Sequence, residues 1–249
     1  GVQTCALPIL ASCNRQTICG MSHALLDPLD LYCERLDPSF WAEPLNAWSN
    51  AGFLLVAWWL ARLAARTPGG RHWQVYALVA MVAAIGVGSF LFHTLAVYWA
   101  MLADVIPIFI YQLLFLVFYL QRVARLRMPG TLAWVGVFVA SSVGAAALPV
   151  GWLNGSMSYA PALGFVAGLG VYHWRSGKQA PWALLAAAAA FSLALVCRCL
   201  DMAVCASWPW GTHYAWHSLN AVVLGLSTLA FLRNQALTGP ASPTGLGHR

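Results

Sequence analysis

Apolar runs separated by short polar breaks dominate this 249-residue chain. Seven of them lie near the roughly 20 residues needed to cross a bilayer. They are Leu45–Ala65, Trp73–Leu95, Trp99–Leu120, Thr131–Leu148, Tyr159–Trp174, Trp182–Leu200 and Thr212–Leu232, the fifth being the shortest. The pattern predicts an all-α polytopic membrane protein with seven transmembrane helices over residues 45–233. No polar stretch is long enough for a soluble domain, and no internal repeat is present. The run Ala186–Ala190 falls inside the sixth helix and predicts close helix packing. Residues 21–44 read as an acidic extramembrane segment, and 234–249 as a disordered tail. Residues 1–20 hold Cys5, Cys13 and Cys19 and have no basic region before their short apolar stretch. That fits a signal peptide poorly. They are expected to be a non-native or disordered extension, with Met21 as the start.

Composition agrees with the pattern. Hydrophobic residues make up 61% and charged residues 8%, against roughly 25% charged in soluble domains. The net charge of +6 forms no basic patch, so nucleic acid is not an expected partner. The basic residues instead alternate by loop. Arg62, Arg66 and Arg71 lie in the first loop, Arg122, Arg125 and Arg127 in the third, Arg175 and Lys178 in the fifth and Arg233 after the last helix. The second and fourth loops have no Lys or Arg. The positive-inside rule then places the N-terminus outside and the C-terminus in the cytoplasm. Tryptophans near many helix ends, such as Trp73, Trp99, Trp174 and Trp182, fit interfacial belts.

Few ionisable side chains lie within the runs: His93, Asp104, Arg198, Asp201, His213 and His217. Ionisable groups in a bilayer are costly and usually functional. His213 and His217, four residues apart, share one helix face. A pair at that spacing can be packing or surface residues, or can share a metal ion. Depth bears on the choice. His93 lies about twenty residues, roughly 30 Å, along the second helix; Asp104, His213 and His217 lie near the outer starts of the third and seventh. All four fall at one level in the outer half of the bundle. Three neutral imidazoles complete the protein ligands of a catalytic zinc and leave a fourth position for water, whose pKa the metal lowers. Asp104 could accept that water's proton or hold a ligand's other ring nitrogen. Ser89, one turn before His93, could reach the site or a developing oxyanion; it could equally be a packing serine bonded to its own helix. A haem ligated by His93 and one other histidine would leave a histidine and Asp104 unexplained. A non-catalytic seven-helix receptor would need no such set. Arg198 and Asp201, three residues apart, could pair on one helix end, and Cys197 and Cys199 read as reduced, buried small residues.

Ser89-Phe-Leu-Phe-His93, Asp104 eleven residues on, and His213-Tyr-Ala-Trp-His217 resemble the alkaline ceramidases. These belong to a superfamily of seven-helix membrane hydrolases that also contains adiponectin-receptor-like proteins. Asp30-Leu-Tyr-Cys-Glu-Arg and Trp41-Ala-Glu-Pro-Leu-Asn-Ala-Trp-Ser-Asn50 are similar to the ceramidase branch's N-terminal signature. The resemblance runs from about Asp30 to the end of the seventh helix. It implies an intramembrane zinc amidase that cleaves ceramide to sphingoid base and fatty acid. Zinc would sit on His93, His213 and His217, with Asp104 as proton acceptor and Ser89 assisting. Another N-acyl or ester lipid on the same site, or a lipid receptor with structural zinc, are the alternatives.

The resemblance also implies a calcium site in the N-terminal segment, with Glu34 and Glu43 as ligands and Tyr32 offering its carbonyl. Leu31 and Leu36 stand where an acid and an amide are expected, with Asp30 one residue early and Asp37 one late. These acids could act in a shifted register, since calcium tolerates varied oxygen geometry; they could also form a solvated acidic face. Cys33 and Cys205 are implied to pair as a disulfide, which an oxidising outer face permits. The expected partner is a ceramide-like membrane lipid, with no obligatory protein partner. A bacterial inner membrane is the expected location, with ER/Golgi or plasma membrane as the alternatives.

Overall fold

In the computed structural model, which describes residues 25–68, 70–149 and 152–235, the apolar runs are helices. They are α1 (Pro44–Ser49), α2 (Ala51–Arg66), α3 (Trp73–Leu95), α4 (Tyr98–Phe118), α5 (Met128–Ala146), α6 (Ala160–Arg175), α7 (Ala183–Val204) and α8 (His213–Gln235). A π-helical turn, Tyr119–Val123, extends α4, and a 3-10 segment, Trp152–Tyr159, precedes α6. Five helices are long and apolar enough to cross a membrane: α3, α4 with its π turn, α5, α7 and α8. The other two expected spans hold helices of 16 residues each. The first divides at Asn50, where the Ser49 hydroxyl and Asn50 amide both donate to the Asn46 carbonyl and compete with the helix ladder for it. The fifth matches α6, which at 16 residues is unbroken but short; the 3-10 segment before it has left-handed backbone at Leu153, Asn154 and Gly155. α8 runs past the expected boundary, to Gln235. Residues 1–20 and most of the expected C-terminal tail lie outside the described residues.

The helices form a ring in chain order, α2 to α8, closed by contact of α8 with α2. α3 and α8 are its most enclosed members, with 50% and 56% of their apolar spans buried against 11% of α5. The main core joins α2, α3, α4 and α8 through Leu60, Leu78, Val82, Phe115 and Phe231. The two most enclosed helices are therefore the ones that carry the three histidines.

Closeness of α3 and α4 has a local cause. Pro107 has no N–H, so the Ala103 carbonyl one turn earlier has no helical donor. That carbonyl lies over Gly88, where a Cβ would come within 2.0 Å of it. A glycine is needed there for the backbones to meet. The contact sets Asp104 beside Ser89, the next residue on each helix.

The N-terminal segment crosses the end of the bundle that carries the three histidines. Leu29 N–H donates to the Ala96 carbonyl (2.7 Å), and Tyr98 N–H to that of Asp27 (3.2 Å). This backbone pairing hooks the segment to the α3–α4 turn. A disulfide between Cys33 and Cys205, Cα atoms 5.5 Å apart, ties it to the end of α7.

Candidate metal centre

His93 from the last turn of α3 meets His213 and His217 from the first two turns of α8. One ring nitrogen from each lies within 4.8 Å of those of the others. The ring centroids are 4.6, 4.6 and 5.2 Å apart. The three residues are 1%, 2% and 3% exposed. Two neighbours set their tautomers. His93 Nδ1 faces Glu43 Oε2 at 2.5 Å, which holds the proton on Nδ1. His217 Nδ1 lies 2.8 Å from Ser49 Oγ. The single hydroxyl proton of Ser49 goes to the Asn46 carbonyl at 2.8 Å, so the serine accepts from the His217 N–H. The Nε2 lone pairs of both rings are thereby left free. His93 Nε2 and His213 Nδ1 are buried with no hydrogen-bond partner. Buried polar atoms are nearly always paired. Two orphaned nitrogens in a cluster of three imidazoles fit a bound metal ion.

Ser89 and Asp104 stand beside this cluster, the carboxylate within hydrogen-bonding reach of the Ser89 hydroxyl. With His217 they form one end of a cavity of about 890 Å³, counting its open side. Its remaining wall is largely apolar, including Ile108 and Leu116 of α4, Phe138 of α5, and Phe165 and Leu169 of α6. α4 and α5 touch only sparsely, and the cavity lies inward of that seam. Ser227, ten residues along α8 from His217, also lines it, so the apolar part extends roughly 15 Å below the cluster.

The N-terminal residues expected to hold calcium do something else. The Glu34 carboxylate accepts from Leu45 N–H (2.7 Å) and Asn46 N–H (2.8 Å), capping α1 where helix donors are free. Burial pushes its carboxyl up, and these bonds oppose that. Glu43 is bound by His93, by Asn46 Nδ2 at 3.1 Å and by Arg35 Nε at 2.5 Å. Its burial would raise the pKa, but those partners hold it below the usual range. The Tyr32 carbonyl accepts from Arg35 N–H. Its ring stacks on His213 at 3.8 Å, and burial pushes the phenol well up, keeping it protonated. Asp30 and Asp37 are exposed. The Asp37 carboxylate accepts from Ser39 at 2.7 Å, a bond that holds its pKa down. These groups do not converge on one point, so the residues present do not fit a calcium ion.

Asp201 does not pair with Arg198. Its Oδ1 accepts from the N–H groups of Thr212 (2.7 Å) and His213 (2.9 Å), and Oδ2 from Cys33 N–H (3.1 Å). It caps α8 at its first histidine and fastens the disulfide to it. Arg198 donates instead to the Asn154 carbonyl at 2.8 Å and lies over Tyr159 and Trp216. Gly211 packs against this cap with φ 61°, where a Cβ would be 2.2 Å from Asp201 Oδ1 and 2.8 Å from Cys33 Cβ. We expect Gly211→Ala to cost about 1–3 kcal/mol through backbone strain alone, with more from the displaced cap. Thermal unfolding in detergent reads this as a fall of several degrees in Tm; an unchanged Tm would refute the cap geometry.

Sequence reasoning missed the supporting residues. Asn46 and Ser49 stood in the quoted N-terminal signature, but nothing in the sequence set them against His217 or Glu43. Asp201 did give one, as an acid just before the turn into α8, but only the fold shows it facing that helix's first N–H groups. Cys197 and Cys199 are half-buried and form no disulfide; the Cys199 thiol donates to the Leu153 carbonyl at 3.3 Å. Comparison with models of known protein families, and with curated proteins, found no match.

Proposed function

We propose that this chain is an intramembrane zinc-dependent amidase that hydrolyses the N-acyl bond of ceramide to sphingoid base and fatty acid. The observation that carries the reading is the apolar cavity that ends on three histidines, a carboxylate and a hydroxyl. It pairs a place for an acyl chain with groups suited to hydrolysis. Zinc on the three histidines would polarise an amide carbonyl and bring the pKa of its water toward neutrality. Asp104 takes the proton of the attacking water and returns it to the leaving amine, so the amide gains the elements of one water across its C–N bond. The Ser89 hydroxyl donates to the oxygen that gains charge. Cavity walls from α4, α5 and α6 hold the acyl chain. The resemblance noted in the sequence supports ceramide as the substrate.

The same reading has α1–α2 and the Trp152–Arg175 segment completing seven spans, N-terminus outside and C-terminus cytoplasmic. The alternation of basic loops supports that orientation. A bacterial inner membrane is the proposed location. The test is zinc content and product release from purified protein with ceramide in mixed micelles. About one zinc per chain, with release of equal fatty acid and sphingoid base, is expected. Release from other N-acyl lipids or lipid esters but not ceramide would move the substrate and keep the chemistry. Bound zinc with no release from any lipid amide or ester would replace the enzyme by a lipid receptor with structural zinc.

A further inference from the structure

The N-terminal signature leads one to expect calcium, yet the place is taken. Arg35 is 8% exposed, and its guanidinium is surrounded by oxygens. Nε donates to Glu43 Oε1 at 2.5 Å. Nη1 donates to the carbonyls of Asp37 (3.2 Å) and Ser39 (3.5 Å), and Nη2 to the His93 carbonyl (3.1 Å). One carboxylate and three carbonyls are the hard oxygen donors a calcium ion would collect. A guanidinium meets them with N–H groups in a fixed fork.

The departures in the sequence agree. Leu36, where an amide side chain was expected, is 83% exposed and turned away. Glu34, Tyr32 and Asp37 have spent their oxygens on backbone or local donors. We propose that Arg35 is a built-in cation that takes the place of calcium, and that this chain binds no calcium there.

The arginine then positions the metal centre through two links. It neutralises one oxygen of Glu43 while the other holds His93 Nδ1. It also takes the His93 carbonyl, in the last turn of α3, where helix carbonyls lack donors. Both ends of one ligand residue are fixed by a single cation. Arg35 is a positioning residue, since none of its bonds reaches the cavity.

Two measurements on the full chain in detergent test this, and neither uses substrate, so they are independent of the reaction proposed above. The first titrates wild-type protein with calcium and with terbium after passage over a chelating resin. No saturable site and no Tm shift above about 1 °C in millimolar calcium are expected, because a ligand far above its Kd would raise Tm. Stoichiometric calcium binding with a raised Tm overturns the proposal. The second loads Arg35→Ala with cobalt and reads affinity and the tetrahedral absorption bands. An affinity loss of about 10–100-fold, partly restored by guanidinium or by calcium at the vacated oxygens, is expected. Wild-type cobalt affinity and spectrum in Arg35→Ala overturn it. If that variant does not fold, the wild-type calcium titration still decides.

Discussion

Asp104→Asn is expected to keep its metal and lose about 10²–10⁴-fold in turnover, whereas His217→Ala loses metal and turnover together. The contrast follows from where the two residues stand. His217 contributes one of three clustered ring nitrogens, and two imidazoles make a poor zinc site. Asp104 contributes none; it faces Ser89 across the α3–α4 contact and lines the cavity. Asparagine has nearly the same shape but cannot take a proton, so the loss is in the chemical step. Metal content and kcat for both variants check this. Stoichiometric zinc in His217→Ala would sink the three-histidine assignment. Wild-type turnover in Asp104→Asn would take the proton from this carboxylate and leave the reaction without its base.

Glu43→Gln should be the most disruptive conservative change in the N-terminal segment. Its carboxylate is 2% exposed and bonded to Arg35, His93 and Asn46. Glutamine leaves the Arg35 guanidinium buried without its counter-charge. Breaking a buried ion pair from one side costs about 3–5 kcal/mol. It also weakens the bond that fixes the His93 tautomer, and such losses lower metal affinity by about 10–100-fold. Glu43→Gln with Arg35→Met removes both charges and should recover part of the stability but not the metal affinity, since only Glu43 touches the ring. Denaturation in detergent and cobalt titration separate the two effects. Equal recovery of both would mean that Glu43 acts on His93 through the fold alone.

The helices were legible because a bilayer-length apolar run admits few other structures. Leu45–Ala65 was read as unbroken because hydropathy does not register a carbonyl diverted by Ser49 and Asn50, whereas Tyr159–Trp174 does match an unbroken helix. His93, Asp104, His213 and His217 could be grouped from depth alone, since helix rise converts sequence position to height. What depth cannot supply is azimuth. Asp201 and Arg198 looked like partners at three-residue spacing, yet Asp201 turns to the start of α8 and Arg198 to Tyr159 and Trp216. The N-terminal segment was the least legible part. It has no periodic structure, and its acids are distinguished only by which N–H groups the folded chain brings to them. Arg35 stood only as one letter of the quoted N-terminal signature, yet the fold sets it against Glu43 and the carbonyls of Asp37, Ser39 and His93.

The three histidines lie beneath a segment hooked at Leu29 and Tyr98 and bonded covalently at Cys33. With Tyr32 stacked on His213, that segment covers one side of the cluster, whose histidines are nearly fully buried. Exchange of an ion held there would then depend on how often that cover lifts as well as on the strength of the coordinate bonds. A metal taken up as the chain matures would be retained against chelators that bind it more tightly, and breaking the Cys33–Cys205 bond would shorten its residence. Equilibrium affinity and occupancy in a purified sample are, for this site, separate quantities.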